Sequence, residues 1–355
     1  MTLAQIIARI EPLDPSYVER AREHTAELAI PPRALGRLHD IAEQLCGLGR
    51  TLTPEVNPKA FLVMAGDHGD VAEGVSAFPQ AVTGEMVRNF LRGGAAINVL
   101  ARTVGAEVVV VDMGIIPEID PSDDARHRFK VCKVGRGTQN LAQGPAMTRP
   151  QAEQAVLAGF QVASNLIGEG VRLLGTGDMG IGNTTPAAAV GVALTRYSEE
   201  EMVGRGTGID DQTLAKKRSI VRQALERNRP DPKDGLDVLA KVGGFEIGGI
   251  AGTILAGAYH RIPVVIDGFI STAGALIAQA LCPTVVDYLF AGHCSEETGH
   301  RYMLQHLGLQ PLIDLGLRLG EGTGAALAMG IIEGAVRVFR EVLTFAQAGV
   351  TPKAN

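Results

Sequence analysis

The sequence predicts an α/β protein: a mainly parallel, Rossmann-like sheet flanked by helices, with a small helical subdomain drawn from both chain termini. Short, continuous apolar runs recur at 60–65, 107–111, 171–174, 264–266 and 285–290, as expected of strands buried on both faces. Stretches with helical spacing separate them, and strands that alternate with helices imply parallel pairing. Helical patterns before residue 58 and after 324 have no strand to accompany them, so they are read as one small unit. The large α/β domain then spans 59–320, and 1–58 plus 324–355 form the helical one.

Taken in order, 15–28 and 34–48 have helical spacing, with Ile30-Pro31-Pro32 as the break between them. A linker over 49–58 leads to the first strand, 60–65, which ends in Gly66-Asp67-His68-Gly69. A loop at 74–80 and helices over 81–91 and 95–104 follow. The second strand, 107–111, ends at Asp112-Met113-Gly114. Beyond a polar segment at 117–130 and a Gly135-Arg136-Gly137-Thr138 turn, a helix over 151–167 feeds the strand 171–174. Helices are then expected over 187–194, 211–226, 236–242 and 248–259, the last rich in small residues. Strand 264–266 runs into Asp267-Gly268-Phe269, and a helix over 272–280 precedes strand 285–290, which ends in Gly292-His293-Cys294-Ser295. A long apolar helix closes the chain, from Gly324 to about Phe345.

Composition limits the function. Of 355 residues, 46% are hydrophobic and 20% charged, the balance of a globular protein and not of a disordered one. A net charge of −6 without a Lys/Arg stripe argues against a nucleic-acid partner. No apolar run reaches the roughly 20 residues that span a bilayer, and residues 1–10 carry no signal-peptide core, so no membrane partner is expected. The four cysteines are scattered without a C-x-x-C pair, which fits reduced thiols in the cytoplasm better than a disulfide framework or a zinc site.

Almost every strand ends in a Gly-rich turn bearing Asp, Glu, His, Ser or Thr, and ligands in open α/β sheets sit beyond the carboxyl ends of the strands. The stretch Gly175-Thr176-Gly177-Asp178-Met179-Gly180-Ile181-Gly182-Asn183-Thr184-Thr185-Pro186 reads as strand, loop and helix start, an anion cradle of bare N–H groups and helix dipole. It also matches G-x-G-x-x-G, the dinucleotide fingerprint. The helix does not open inside that motif, however, and Glu199–Glu201 lies in a polar turn instead of ending a second strand. An NAD-dependent oxidoreductase and a non-catalytic nucleotide-binding subunit stand as alternatives. Lys217, in the helix after Gly204-Arg205-Gly206-Thr207-Gly208, reads either as a solvated lysine or as a phosphate ligand. Ser295 is placed to donate to the same phosphate, and His68 to sit behind the site. Glu321, between Gly320 and Gly322 in apolar surroundings, reads equally as a desolvated general base or as the cap of the long helix.

With these motifs assembled, the chain resembles the nicotinate-nucleotide–dimethylbenzimidazole phosphoribosyltransferase family of cobamide assembly. The resemblance runs through Gly66–Gly69, Gly74-Val75-Ser76, Gly177–Thr185, Gly204–Gly208, Asp267-Gly268-Phe269, Ser295–His300 and Arg318–Gly324, in that order over nearly the whole chain. It implies transfer of phosphoribosyl from nicotinate mononucleotide to a benzimidazole-type base, with Glu321 taking the base's N–H proton. Asp178, Gly180, Gly182, Asn183, Thr184, Gly206, Lys217 and Ser295 would hold the nucleotide and its phosphate. Phe78, Gln80, Glu85, Met179 and Leu319 would line the base pocket. No cofactor and no metal are expected, because the pyridine leaves as a neutral ring and no pyrophosphate is released. The resemblance also implies a homodimer. Asp178 stands where the family carries Glu, one methylene longer, so the choice of base is left open.

Overall fold

The five apolar runs, joined by a short sixth strand at the end of the polar segment that the sequence did not predict, form one six-stranded parallel sheet in the order β3-β2-β1-β4-β5-β6. Its strands are β1 (Lys59–Gly66), β2 (Ala106–Gly114), β3 (Phe129–Val131), β4 (Leu173–Met179), β5 (Val264–Ile266) and β6 (Leu289–Ala291). The computed structural model describes residues 1–120, 128–206 and 208–351. Half of the polar segment expected at 117–130, Thr207 of the Gly-rich turn and the last four residues of the expected terminal helical unit lie outside them.

β1 is buried along its whole length, and its alternate side chains meet helices on opposite sides. Met64 lies against Gly249 of the helix Phe245–His260, whereas Phe61 faces the space shared by Gly175 and Met329 of the helix Thr323–Glu341. The helix Phe245–His260 runs against β1, β2 and β4, with Arg149–Gly168 packed on it; Thr323–Glu341 covers β4 and β5. Arg37–Gly49 packs on both Thr323–Glu341 and Pro15–Glu27, and Leu28 makes an antiparallel bridge to Thr344, so the two chain ends do meet. Strand order grows outward from β1 through β2 to β3, then restarts beside β1 at β4. The reversal between β1 and β4 is the topological switch point at which open sheets form a crevice.

Several boundaries differ from expectation. β4 continues to Met179, five residues past the predicted end, and pairs with β1 as far as Ala65. Gly175 and Gly177 are strand residues there because neighbouring bulk occupies the side-chain space. A Cβ on Gly177 would stand 2.2 Å from the Glu321 carbonyl oxygen. The next helix starts at Thr184, ahead of the expected 187. Of the predicted strand 285–290, most is a 3-10 helix, Pro283–Tyr288, begun by the fixed φ of Pro283; only its end joins β6. The last long helix stops at Glu341, and a separate short turn, Phe345–Ala348, follows. A second, two-stranded parallel sheet of β7 (His293–Ser295) and β8 (Ile313–Leu317) was not expected. Among the described residues no helix is long and apolar enough to cross a membrane.

Candidate active site

β4 carries Asp178 and Met179 to the carboxyl edge of the sheet, where they border a cavity of about 430 Å³. The turn beyond them, Gly180 to Asn183, is tied to the helix Ala81–Arg92 by the Ile181 N–H, which donates to Thr83 Oγ1 at 3.1 Å. Other walls come from the ends of β5 (Gly268, Phe269) and of β6 and β7 (His293, Ser295, Glu297), and from the 318–321 loop.

That loop is held in an uncommon backbone state. Gly320, Glu321 and Gly322 all have positive φ, at 83°, 64° and 103°. For Glu321 this is a strained conformation that only surrounding structure maintains. Asp267 is the main restraint: its carboxylate accepts from the N–H groups of Gly322 (3.1 Å), Gly324 (2.8 Å) and Ala325 (2.9 Å). Asp267 therefore caps the helix Thr323–Glu341, and Glu321 does not. Glu321 Oε2 instead accepts from the Ile97 N–H at 3.2 Å, at the start of a different helix, Ala96–Thr103. Burial, joined by the nearby Asp267 charge, raises the Glu321 pKa above the ordinary glutamate range, against the pull of the Ile97 N–H.

Asp178 faces the same loop, with the Cβ direction of Gly320 pointing toward its carboxylate. Its Oδ2 accepts from Asn183 Nδ2 at 3.0 Å. Burial, then the charges of Asp267, Glu246 and Glu321, push its pKa to about 8 despite that hydrogen bond. The site thus concentrates carboxylates on one side.

The opposite end holds a buried lysine. Lys217 is 1% exposed, and its Nζ donates to Thr184 Oγ1 at 2.6 Å and to the Gly204 carbonyl at 3.4 Å. Burial lowers its pKa to about 8, with Glu297 and Asp70 acting in the other direction. The Ser295 N–H donates to His300 Nδ1 at 2.9 Å, and His300 Nε2 lies 2.9 Å from Thr272 Oγ1, which donates to the Gly268 carbonyl. Burial, with His293 nearby, brings the His300 pKa down to about 3, so its ring is a neutral strut between two cavity walls. Ser295 Oγ accepts from the Glu297 N–H, which leaves the hydroxyl proton for a ligand.

Ten of the fourteen residues predicted for the site border the cavity: Phe78, Asp178, Met179, Gly180, Asn183, Thr184, Gly206, Ser295, Leu319 and Glu321. Lys217 lies directly behind Thr184. Gly182 turns toward Asp70 and Val71, away from the cavity. Gln80 starts the helix Ala81–Arg92 and donates to the His68 carbonyl, and Glu85 is exposed on that helix. Its apolar neighbours Val82 and Met86 line the cavity in place of Gln80 and Glu85. His68 is fully buried with Nε2 2.9 Å from Glu246 Oε1. Burial alone would depress the His68 pKa, but Glu246, Asp70 and Asp67 together carry it up to about 9. Among the described residues no three His, Cys, Asp or Glu side chains converge to hold a metal ion.

In the sequence Asp267, His293 and Glu297 fall in noted motifs but carry no assigned role, and Glu246 does not stand out. A signal existed for Asp267: like Asp67, Asp112 and Asp178 it follows or closes an apolar strand run. The dinucleotide reading of Gly175–Gly180 fails on structure, because most of that motif is strand β4 and the following helix opens only at Thr184.

Comparison with known proteins agrees with this geometry. A family model described as "Phosphoribosyltransferase" matches residues 10–350. The nicotinate-nucleotide–dimethylbenzimidazole phosphoribosyltransferase of Geobacter metallireducens is 53% identical over 348 residues, 98% of each chain. That of Desulforamulus reducens is 52% identical over 351 residues, 98% of this chain and 99% of the relative. The crystal structure of the enzyme of that name from Thermus thermophilus superposes with a TM-score of 0.90 at 48% identity, covering 96% of this chain and all of the other. The chain therefore belongs to this phosphoribosyltransferase family.

Proposed function

We propose that the protein transfers the phosphoribosyl group of nicotinate mononucleotide to 5,6-dimethylbenzimidazole or a related lower-ligand base. The products are nicotinate and α-ribazole 5′-phosphate, in the nucleotide-loop branch of cobalamin biosynthesis. The observation that carries the chemical assignment is the setting of Glu321. It is a buried carboxylate of raised pKa at the cavity edge, released from helix capping by Asp267 and held in a strained loop.

The glycosidic C–N bond to the pyridinium breaks and the electron pair stays on the leaving ring, which departs neutral. A ring nitrogen of the incoming base attacks C1′ from the opposite face, which inverts the β-nucleotide to an α-linked product. Glu321 takes the proton from the other nitrogen. General-base help of this kind is worth about 10²–10⁴-fold in rate. Glu321 also places negative potential where positive charge develops at C1′, and Asp178 does so in its ionised form, above about pH 8. Lys217, Thr184, Ser295 and the backbone at Gly180 and Gly206 are proposed to hold the phosphate. Phe78, Met179 and Leu319, with Val82 and Met86, form the base pocket.

Residues 59–320 are taken as the catalytic domain and the paired terminal helices as its small companion. The exposed apolar side chain of Leu315, outside the base pocket, supports a homodimer, and the four free cysteines support a cytoplasmic location. Incubation with nicotinate mononucleotide and a panel of benzimidazoles, purines and phenols tests the reaction. Nicotinate release and a ribosylated base of the expected mass are the predicted outcome; no product with any base refutes it. A solution mass of one chain removes the dimer.

A further inference from the structure

We propose that His293 binds a ribose hydroxyl of the nucleotide and sets selectivity for ribo- over deoxyribonucleotides. The inference rests on the phosphoribosyl-transfer reading and adds a residue to it. His293 lines the cavity and is 1% exposed, yet neither ring nitrogen has a hydrogen-bond partner among the described residues. Buried polar nitrogens without partners are uncommon, and one facing a ligand cavity points to a ligand contact. The nearest carboxylate oxygen, Asp267 Oδ1, is 3.6 Å from Nε2, beyond hydrogen-bond distance, and is already engaged by the Gly324 and Ala325 N–H groups.

The ring is fixed in place by its neighbours. A Cβ on Gly324 would stand 2.0 Å from His293 Cδ2, and one on Gly268 3.1 Å from Nε2, so the imidazole is wedged between two backbone segments. His300, the other histidine here, has both nitrogens engaged, by the Ser295 N–H and Thr272 Oγ1. Position along the chain specifies the ligand part. His293 and Ser295 alternate on β7 and both border the cavity, and side chains two residues apart on a strand stand about 6.5 Å from each other. With phosphate at Ser295, that spacing puts the ribose at His293. The two ring nitrogens of an imidazole can both pair with a hydroxyl, which is itself donor and acceptor, whether one or both of them carry a proton.

The test crosses two deletions: wild type and His293→Ala, each assayed with nicotinate mononucleotide and with its 2′-deoxy and 3′-deoxy analogues. Intrinsic reactivity differences among these substrates cancel when the enzymes' ratios are compared. Wild type is expected to lose about 10- to 100-fold in kcat/KM with one analogue. His293→Ala should lose a similar factor with the parent nucleotide and little more with that analogue. His293→Asn, which keeps a donor and an acceptor, should retain part of the discrimination and serves if the alanine variant fails to fold. A penalty in His293→Ala as large as in wild type for both analogues overturns the proposal. So does a wild type that accepts both analogues as well as the parent. An enzyme inactive with the parent nucleotide and every base fails the function itself, a separate outcome.

Discussion

At the nucleotide end of the cavity the polar groups are buried and already placed by the protein's own bonds: Lys217 on Thr184, Ser295 on His300, and His300 on Thr272. At the base end the walls are apolar and open, with Phe78 52% and Leu319 59% exposed. A fixed polar end reads its ligand through geometry, and small displacements there are expensive. An apolar, partly exposed end gains affinity roughly in proportion to area and adapts to different rings. The difference implies a protein strict about its nucleotide and tolerant about its base, with Glu321 and Asp178 at the junction of the two ends.

The largest effect is expected at that junction. Glu321→Gln keeps the shape and the bond from the Ile97 N–H but removes the proton acceptor, so kcat should fall by about 10²–10⁴-fold with nucleotide binding largely retained. Steady-state kinetics with a titration of nucleotide binding checks this; a kcat within a factor of three of wild type takes the base role away from Glu321.

Next comes the polar end. Lys217→Met removes a charge-assisted contact while keeping much of the buried volume, and the KM for the nucleotide should rise about 10- to 100-fold for every base tested. A shift that varied from base to base would blur the boundary between the two ends. Melting curves report whether the buried Asp70 and Glu297, left without this cation, destabilise the variant.

The same residue predicts a pH dependence. In the folded protein Lys217 titrates near 8, below its usual 10.5, so the charge that binds phosphate is lost as pH rises through about 8. Wild-type nucleotide KM should climb above that pH, and that of Lys217→Met should stay flat. Stability has the opposite sign. Between about 8 and 10.5 the unfolded chain holds a proton that the folded one has released, so this group's cost to folding is complete below about 8 and is relieved as pH rises through the window. Parallel pH profiles in the two proteins would remove Lys217 from the phosphate.

How much of this was readable in the sequence follows the same divide. Continuous apolar runs exposed β1, β2 and β5, since burial on both faces leaves no alternation to misread. β7 escaped because His293-Cys294-Ser295 is three residues of mixed polarity whose partner lies at 313–317. Glu321 stood out by its glycine neighbours, a local signal. Its freedom from capping did not, because the capping carboxylate, Asp267, precedes the amides it binds by 55 to 58 residues. Contacts across the cavity also decided which face of the helix Ala81–Arg92 lines it, and so why Val82 and Met86 stand there and Glu85 does not.

The smallest effects belong to the open end, and they probe the comparison most finely. Phe78→Ala and Leu319→Ala each remove apolar area from walls that solvent already reaches, so each should raise the KM for the base about three- to tenfold. The size should depend on the base: a methyl-substituted benzimidazole, with more apolar area to bury, loses more than an unsubstituted one. The nucleotide KM should be unchanged in both variants, because no polar contact of Lys217, Thr184 or Ser295 involves them. A base panel run on the two variants at saturating nucleotide separates the cases. If either substitution abolishes turnover with every base alike, the open end positions its ligand as strictly as the polar end, and tolerance has to come from another source, of which Asp178, one methylene shorter than the glutamate that the family resemblance implies, is the first to test by Asp178→Glu.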